Sequence, residues 1–392
     1  RHLVVLGDKP AGGDAWIAYD DLVDGASDSF DFPAIDERSG ASLCYTSGTT
    51  GNPKGVLYSN RSIVLHSLMM CGADWFAIAK RDAVLPIVPM YHVNAWSLPF
   101  IAAMTGARLV LPGTALDSRS LHDLISSERV SLAAGVPTIW TDMLAYMEAE
   151  GKTLETLDRV IVGGTAPTPS LIKALEERHA VRTMHGWGMT ETSSCGLLNT
   201  SDNNWQEMSA EDRRVFLGKQ GRPPYRVNVR IVTQDGDEAP WDGRTFGNLQ
   251  VSGPTVTDHY FNGEDGAIAC AADGWLDTGD IAVIEASGYV QIVDRDKDII
   301  KSGGEWISSI TLENIATSHP DVLEAAVIGV HHPHWDERPV LIAVLRQGAA
   351  LDPADLLGYF TGKVAKWWIP DDVVIVEAIP RQATGKIFKG RQ

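Results

Sequence analysis

The chain has 392 residues, enough for two or three domains, and 44% of them are hydrophobic while 21% are charged. This composition excludes a disordered, collagen-like or coiled-coil chain. The 33 basic and 51 acidic residues give a formal net charge of −18, which argues against nucleic-acid binding because that binding depends on a basic surface.

The chain begins RHLVVLGDKP, which is neither a signal peptide nor a transit peptide. The start without Met indicates a fragment or a processed start. The cysteines lie far apart and form no C-x-x-C pair, so a disulfide framework or a zinc cluster is not expected. They are Cys44, Cys71, Cys195 and Cys270. A reducing cytosol fits this pattern best, and we expect a cytoplasmic protein.

Strand-like and helix-like segments alternate up to about residue 184. The predicted strands are Ala41–Thr46, Arg108–Leu111, Val130–Ala134, Leu157–Val162 and Val181–Met184. The predicted helices are Asn60–Gly72 (with Asn60 as the N-cap), Leu121–Glu128, Thr138–Glu150 and Pro169–His179. This alternation predicts a parallel sheet with helices on its faces.

The segment Ala83–Ala107 has 25 residues without Asp, Glu, Lys or Arg, which is long enough to span a membrane. It also contains Pro86, Pro89, Pro99 and Gly106. A lipid-facing helix could not easily satisfy so interrupted a backbone. We therefore predict a buried strand, a turn that lines a pocket and a helix, and no transmembrane segment.

From about Arg226 the pattern changes to short strands separated by Asp-Gly and Ser-Gly turns. These strands are predicted at Val227–Val232, Gly247–Ser252 and Gly288–Val293. After Asp294 a charged segment precedes mixed α and β patterns. The sequence therefore predicts an α/β fold. Its large domain, residues 1–294, has parallel sheets with helices plus a β-rich subdomain, and a small α+β C-terminal domain covers residues 295–392.

The segment from Tyr45 to Gly55 is a candidate phosphate loop. Its glycines allow close backbone approach, its hydroxyls can donate to phosphate oxygens, and its lysine adds a positive charge. The candidate binding residues are Thr46, Ser47, Gly48, Thr49, Thr50, Gly51 and Lys54. The lysine comes three residues after the preceding glycine, so the spacing is not that of a Walker A loop. A flexible polar surface loop is the alternative.

The segment His185–Thr192 follows the last predicted parallel strand. It is not a dinucleotide fingerprint, because Glu191 stands where a third glycine is needed. Trp187, Thr190 and Glu191 supply an aromatic face, a hydroxyl and a carboxylate, which suit a base, a phosphate and Mg²⁺. Core packing is the alternative for Trp187. Upstream, Gly163–Pro167 is a tight turn at which backbone could approach a flat ring.

Two later patterns are weak when they are taken alone. One is Gly274–Asp280 followed by Asp294–Trp306, and the other is Pro380–Lys386. Asp-Gly turns and terminal lysines are typical of solvated surface. Together and in this order, however, the four motifs resemble the adenylate-forming superfamily of acyl-CoA synthetases, firefly luciferase and peptide-synthetase adenylation domains.

Three segments narrow this resemblance. Val88–Asn94, Gly186–Glu191 and Lys301–Ser308 are most similar to medium- and long-chain fatty acyl-CoA synthetases, and to relatives that act on methylmercaptopropionate. The resemblance implies that ATP activates a carboxylate as acyl-AMP with release of pyrophosphate, and that CoA then displaces AMP. ATP, Mg²⁺ and CoA are therefore the implied cofactor and co-substrates.

The resemblance also implies residue roles. The implied catalytic residues are Lys386, Thr190, Glu191, His92 and Lys301. Besides the phosphate loop, the implied ATP- and AMP-binding residues are Gly164, Thr165, Ala166, Pro167, His185, Gly186, Trp187, Gly188, Met189, Thr190, Asp280, Arg295 and Lys386.

Several of these residues have a specific implied contact. Trp187 would lie against adenine, and Thr190 would contact the α-phosphate. Glu191 would hold Mg²⁺. Asp280 would accept both ribose hydroxyls with Arg295 close by. Lys386, in its turn, would bridge the substrate carboxylate and the α-phosphate.

For the second step, the resemblance implies that the small C-terminal domain rotates about a hinge at Lys297. Lys301 would be the second-step cation. The implied CoA-binding residues are Gly303, Gly304, Glu305 and Trp306. A charged solvated linker is the alternative for residues 295–298.

His92 is implied to lie at the acyl pocket, with a core histidine as the alternative. The apolar Val93, Trp96 and Leu98 favour an aliphatic tail. Two other functions remain open. One is an adenylating enzyme for an aryl acid, 3-methylmercaptopropionate or a carrier-protein thiol, and the other is a non-catalytic nucleotide-binding fragment.

Family members usually carry a longer stretch before the phosphate loop than the 44 residues that precede Tyr45. We therefore expect an N-terminally truncated member. Its expected partners are a small-molecule carboxylate, ATP and CoA, with no nucleic acid, and a homodimer is left open.

Overall fold

The computed structural model describes residues 3–9, 16–46, 53–200, 205–261, 269–380, 387 and 389. The chain divides into two compact units, residues 1–39 and 40–392. In the first unit β1 (Leu3–Val5) pairs in parallel with β2 (Trp16–Ala18), and the helix α1 (Tyr19–Asp24) follows directly.

The second unit contains the remaining elements. Its strands are β3 (Gly40–Tyr45), β4 (Gly55–Ser59), β5 (Ala83–Pro86), β6 (Arg108–Leu109), β7 (Leu132–Gly135), β8 (Arg159–Val162), β9 (Arg182–Trp187), β10 (Leu197–Asn199), β11 (Asn228–Val232), β12 (Gly247–Ser252), β13 (Leu276–Ile284), β14 (Val290–Arg295), β15 (Ile300–Ser302), β16 (Glu305–Ile307), β17 (Val322–His332), β18 (Asp336–Leu345) and β19 (Asp372–Ile375). Its helices are α2 (Asn60–Met70), α3 (Val93–Trp96), α4 (Leu98–Thr105), α5 (Ser118–Ser127), α6 (Pro137–Glu150), α7 (Pro169–His179), α8 (Ala210–Leu217), α9 (Ser309–Thr317) and α10 (Pro353–Gly358).

A mostly parallel sheet forms the centre of the second unit. Its strand order is β10-β9-β8-β7-β5-β6, and β10 runs antiparallel to β9. Successive side chains of a strand point to opposite faces of the sheet, and helices cover both faces. Leu85 and Val160 pack with α5, α6 and α7 on one face, while Val84 and Ile161 pack with α2 and α4 on the other. The predicted covered parallel sheet is therefore confirmed, but the first predicted strand, Ala41–Thr46, does not belong to it, because β3 pairs antiparallel with β4 in a separate hairpin.

The helix boundaries depend on their caps. Helix α7 has the predicted bounds, since the Thr168 side chain accepts a hydrogen bond from the Leu171 amide and Pro169 takes the first helical position. For α2 the predicted cap, Asn60, is wrong. Ser59 precedes it in extended conformation and accepts from the Ser62 amide.

The backbone between β5 and α4 forms a left-handed turn. The five residues Val93 to Ser97 have φ angles between 48° and 61°, and α3 lies within them. A strand, a turn and a helix were predicted here, but the turn's hand was not, because L-residues disfavour it. No helix in the part of the chain that the structure describes is long and apolar enough to cross a membrane.

Two further sheets follow. Strands β11-β12-β13-β14 form an antiparallel sheet in the predicted β-rich subdomain, and its third strand, β13, was not predicted. Strands β16-β15-β18-β17 form another, in which β19 runs parallel to β18 and α9 packs on β17. Strand β14 ends at Arg295, next to the predicted boundary between residues 294 and 295. That boundary stays a prediction.

Candidate active site

The candidate site lies at the carboxyl ends of β5, β8 and β9, where open α/β sheets place their ligands. The turn after β8 begins at Gly163, and a Cβ there would lie 2.9 Å from the Gly186 carbonyl oxygen and 3.0 Å from the Trp96 ring. Only glycine fits so close an approach. The turn after β8 is therefore in direct contact with β9 and with the left-handed turn that follows β5.

Thr190 and Glu191 lie on a short 3₁₀ turn after β9, and each is at most 7% exposed. The Tyr58 hydroxyl donates to the Thr190 carbonyl at 2.7 Å, and the Tyr260 hydroxyl donates to Glu191 Oε1 at 2.9 Å. The Thr257 amide donates to the Glu191 carbonyl at 2.8 Å. The turn is therefore fixed by β4 on one side and by the segment after β12 on the other.

The two tyrosines act as neutral donors. Burial raises the pKa of Tyr58, and the nearby Cys44 and Glu191 raise it further. Burial also raises the pKa of Tyr260, with a smaller contribution from the charge of Glu191. Both hydroxyls therefore keep their protons at neutral pH and continue to donate.

The candidate phosphate loop joins the two strands of a hairpin, β3 and β4. At its neck the Thr46 amide donates to the Lys54 carbonyl at 2.8 Å. The Lys54 ammonium lies 4.8 Å from the centre of the Tyr260 ring. The same tyrosine therefore contacts both the lysine of the loop and the carboxylate of Glu191. The predicted residues Ser47, Gly48, Thr49, Thr50 and Gly51 lie outside the described residues.

Asp280 and Trp187 form the next part of the site. Asp280, on β13, is 2% exposed. Its Oδ2 accepts from the Trp187 indole at 2.9 Å, and its Oδ1 pairs with Arg295 Nε at 2.8 Å. A carboxylate can accept further hydrogen bonds. This contact fixes the plane of the indole, and Trp187 also packs against the core of the antiparallel sheet.

The other predicted nucleotide residues differ in exposure. Gly164, Thr165 and Ala166 are exposed in the turn after β8, whereas Pro167 is buried. His185 is buried too, and its Nδ1 lies 2.9 Å from the Lys219 carbonyl. Gly186 and Met189 are half-buried, and Gly188 is exposed. Burial lowers the pKa of His185 to about 4, so its ring is neutral at pH 7.

The left-handed turn connects the predicted acyl region to the rest of the site. The Ser42 hydroxyl donates to the Asn94 side chain at 2.8 Å, and the Ser97 hydroxyl donates to the Ser193 carbonyl at 3.1 Å. His92 precedes the turn and is half-buried. Leu98 lies in the core beneath the sheet, so its apolar character does not report on the substrate.

Glu191 is the carboxylate that would bind a magnesium ion. Within the described ranges, no three His, Cys, Asp or Glu side chains form a group that could hold a metal ion. Mg²⁺ typically uses one or two carboxylates together with substrate phosphates and water. A single carboxylate beside the neck of the phosphate loop suits that donor set.

The predicted CoA residues lie on a different sheet. Strands β15 and β16 form a hairpin with Gly303 and Gly304 at its tip, and their φ angles of 61° and 85° suit a two-residue turn. Lys301 lies 3.8 Å from Asp296, and Lys297 lies in the turn between β14 and β15. Lys297, Lys301, Gly303, Gly304 and Glu305 are exposed, and Trp306 is half-buried. Lys386 lies outside the described residues.

Sequence reasoning missed Tyr58 and Tyr260. Tyr58 is 132 residues from its partner Thr190, and Tyr260 is 69 residues from Glu191. Neither tyrosine belongs to a motif with local spacing. A pattern could have found them only through a sheet topology that brings β4 and the segment after β12 to the same strand end.

The fold and the site define an α/β protein of the nucleotide-binding class, with the hairpin of the candidate phosphate loop and a buried carboxylate near the end of a parallel sheet. Residues 4–261 match the AMP-binding enzyme family, and residues 311–386 match the AMP-binding enzyme C-terminal domain. The chain belongs to the AMP-binding enzyme family.

Relatives of known activity are CoA ligases. The chain is 50% identical to 3-methylmercaptopropionyl-CoA ligase of Ruegeria pomeroyi, over 99% of this chain and 72% of the relative. It is 49% identical to medium-chain-fatty-acid–CoA ligase of Ectopseudomonas oleovorans, over 96% of this chain and 68% of the relative.

Among solved structures, o-succinylbenzoate coenzyme A synthetase of Bacillus subtilis in complex with ATP and a magnesium ion has a TM-score of 0.80. It is 27% identical, and the match covers 95% of this chain and 74% of that chain. The predictions of the family, of the α/β architecture and of an AMP-forming acid–thiol ligase are confirmed.

Proposed function

We propose that the protein is an acyl-CoA synthetase that joins a medium-chain or related aliphatic carboxylate, including 3-methylmercaptopropionate, to CoA with ATP. The observation that supports this most directly is the joint position of Tyr260, Glu191 and Lys54. One phenol contacts both the carboxylate that suits Mg²⁺ and the lysine of the phosphate loop. The two CoA ligases of about 50% identity support the acyl class.

In the first step an oxygen of the substrate carboxylate bonds to the α-phosphorus of ATP, and the bond from that phosphorus to pyrophosphate breaks. The hydroxyl of Thr190 and the ammonium of Lys386 stabilise the negative charge that develops on the α-phosphate oxygens. The Thr46–Lys54 loop holds the β- and γ-phosphates. Glu191 would hold Mg²⁺, which would supply electrostatic stabilisation of the phosphates when it is bound.

The nucleoside is held by the pair of Asp280 and Trp187. The indole offers its face to adenine while its N–H stays bonded to the carboxylate. The carboxylate keeps capacity for the ribose hydroxyls, and Arg295 fixes its other oxygen. The exposed backbone of residues 164–166 borders the base.

In the second step the sulfur of CoA bonds to the acyl carbonyl carbon, AMP leaves with the bridging oxygen, and the thiol proton is released. Rotation of the small C-terminal domain about Lys297 removes Lys386 and brings the β15–β16 hairpin to the site. Lys301 then supplies the cation, and Gly303, Gly304, Glu305 and Trp306 face the CoA chain.

The acyl group lies along the left-handed turn next to His92. Val93 is buried there, and the ring of Trp96 lies against Gly163. This apolar lining favours an aliphatic tail over an amino acid.

A cytoplasmic location and a homodimer stay predictions. Light scattering of the purified protein tests the homodimer.

The test is carboxylate-dependent ATP–pyrophosphate exchange with octanoate, 3-methylmercaptopropionate, benzoate and an amino acid, followed by thioester formation with CoA. We expect exchange and CoA product with octanoate or 3-methylmercaptopropionate. Preference for benzoate would favour an aryl-acid enzyme. ATP binding without exchange for any acid would favour a non-catalytic nucleotide-binding protein.

A further inference from the structure

Lys389, near the end of the chain, has a buried ammonium group. Its side chain is 13% exposed, and Nζ donates to Ser309 Oγ at 2.7 Å and pairs with Glu313 Oε1 at 2.5 Å. A lysine is seldom buried unless it is paired. Both partners lie on α9, 80 and 76 residues earlier in the chain. The ammonium therefore ties the C-terminal segment to this helix.

The carboxylate of Glu313 is itself held by the sheet. Its Oε1 also accepts from the Val327 amide of β17 at 2.7 Å. Burial raises the pKa of Glu313, and the charge of Lys389 acts against that shift. A buried carboxylate without its cation would be costly, so Lys389 and Glu313 depend on each other.

Ser309 links Lys389 to the strand before the hinge. Its amide donates to Asp294 Oδ2 at 2.5 Å, while its hydroxyl accepts from Lys389. Asp294 is 1% exposed and lies on β14, three residues before Lys297. The polar cluster of Asp294, Ser309, Glu313 and Lys389 thus joins β14, α9 and the C-terminal segment.

A second contact fixes the same segment. Ile387 packs against the apolar cluster of Ala326, Val344 and Ile379. Residues 387 and 389 follow Lys386 by one and three positions, and three residues of chain reach at most about 11 Å. Along the chain, Lys386 is therefore within this reach of two anchored side chains.

We propose that Lys389 is a positioning residue for the adenylation step, which holds the segment that carries Lys386 against α9 through Ser309 and Glu313. The inference rests on the proposed function, because it assigns Lys389 to the first of the two steps. A variant that lacks the Lys389 ammonium should therefore be slow in adenylation but not in CoA transfer, since CoA transfer does not use Lys386.

The test measures the two half-reactions separately in Lys389→Met, which keeps the length of the side chain and removes the ammonium. We expect the kcat of carboxylate-dependent pyrophosphate exchange to fall about 10- to 100-fold, as misplacement of a reacting group does. Thioester formation from preformed acyl-adenylate and CoA stays at the wild-type rate. Lys389→Arg restores part of the exchange rate. Lys366→Met, at an exposed lysine of the same region, serves as the matched control.

A double variant separates positioning from folding. Lys389→Met with Glu313→Gln removes the unpaired buried charge and keeps an oxygen for the Val327 amide. We expect its thermal unfolding to match the wild type while exchange stays low. Hydrogen–deuterium exchange of the peptide that covers residues 387–392 should be faster in both variants.

Three outcomes would overturn the inference. These are an equal loss in both half-reactions, exchange that recovers fully in the double variant, and exchange that is unchanged in Lys389→Met. Failure of the proposed function looks different, because the wild-type protein itself would then show no carboxylate-dependent exchange.

Discussion

Three residues assigned to ATP and the lysine assigned to CoA transfer differ in burial and in how far along the chain their partners lie. Thr190, Glu191 and Asp280 are at most 7% exposed and bond to partners from distant parts of the chain. Lys301, by contrast, is exposed on a short hairpin and pairs with Asp296, five residues earlier. These ATP residues are held by hydrogen bonds within the folded core, whereas Lys301 is exposed on a hairpin that the proposed rotation would move.

This difference has an electrostatic reason. Fixed donors in a buried site stabilise a developing charge without reorganisation at the moment of reaction. An exposed hairpin lacks that advantage, but its polar groups would stay solvated during the proposed rotation. Changes on the ATP side should therefore affect adenylation, and changes at the hinge should affect CoA transfer.

The largest effect is expected for Lys386→Ala. Exchange of pyrophosphate should fall by about 100- to 1,000-fold, the usual loss when one charge-stabilising donor is removed, while thioester formation from preformed acyl-adenylate continues. Lys366→Ala is the control for removal of a lysine. Equal losses in the two half-reactions would contradict the assignment of Lys386 to the first step only.

Lys297→Pro should give the reverse pattern. Proline fixes φ in the turn between β14 and β15, so acyl-AMP should still form while CoA transfer falls by about 100-fold through misplacement of the hairpin. Gln234→Pro places a proline in an exposed turn of the antiparallel sheet and serves as the control. Full CoA-ligase activity in Lys297→Pro would rule out rotation about this residue.

Asp280→Asn tests the ATP side through the nucleoside. The substitution weakens the charge-assisted bonds to Trp187 and Arg295, so we expect the KM for ATP to rise about tenfold, with a smaller change in kcat. Asp277→Asn, at an exposed aspartate of the same strand, is the control. An unchanged KM for ATP would argue against a nucleoside contact at Asp280.

Tyr260→Phe should have the smallest effect. Loss of one hydrogen bond to Glu191 should weaken Mg²⁺-dependent ATP binding about fivefold, measured by calorimetry at several Mg²⁺ concentrations. Tyr225→Phe, at an exposed tyrosine, is the matched control. If the loss were the same with and without Mg²⁺, Tyr260 would not act through Glu191.

Local patterns in the sequence were sufficient for much of the fold. The bounds of α7 follow from Thr168 and Pro169, and β12 has the predicted bounds because its buried and half-buried residues alternate. The motif around Glu191 was found because its residues are contiguous. Asp280 was found only through the resemblance, since a lone Asp near a Gly turn is usually surface.

The remaining features depend on tertiary structure. The hydrogen bonds of Tyr58 and Tyr260 join segments far apart in the chain, so no local pattern indicates them. The left-handed backbone at Val93 and Ala95 opposes the intrinsic preference of both residues and exists because its neighbours hold it. No local pattern singles out Lys389, since its partners on α9 are distant in sequence.

The left-handed turn at residues 93–97 has a consequence for anyone who changes the acyl preference. Each non-glycine residue in this backbone costs about 1–2 kcal/mol, and Val93 is also β-branched and buried. Val93→Gly would relax the backbone and at the same time remove a packed side chain. Because the two effects oppose each other, a variant of this turn can keep its melting temperature and still have lost its selectivity.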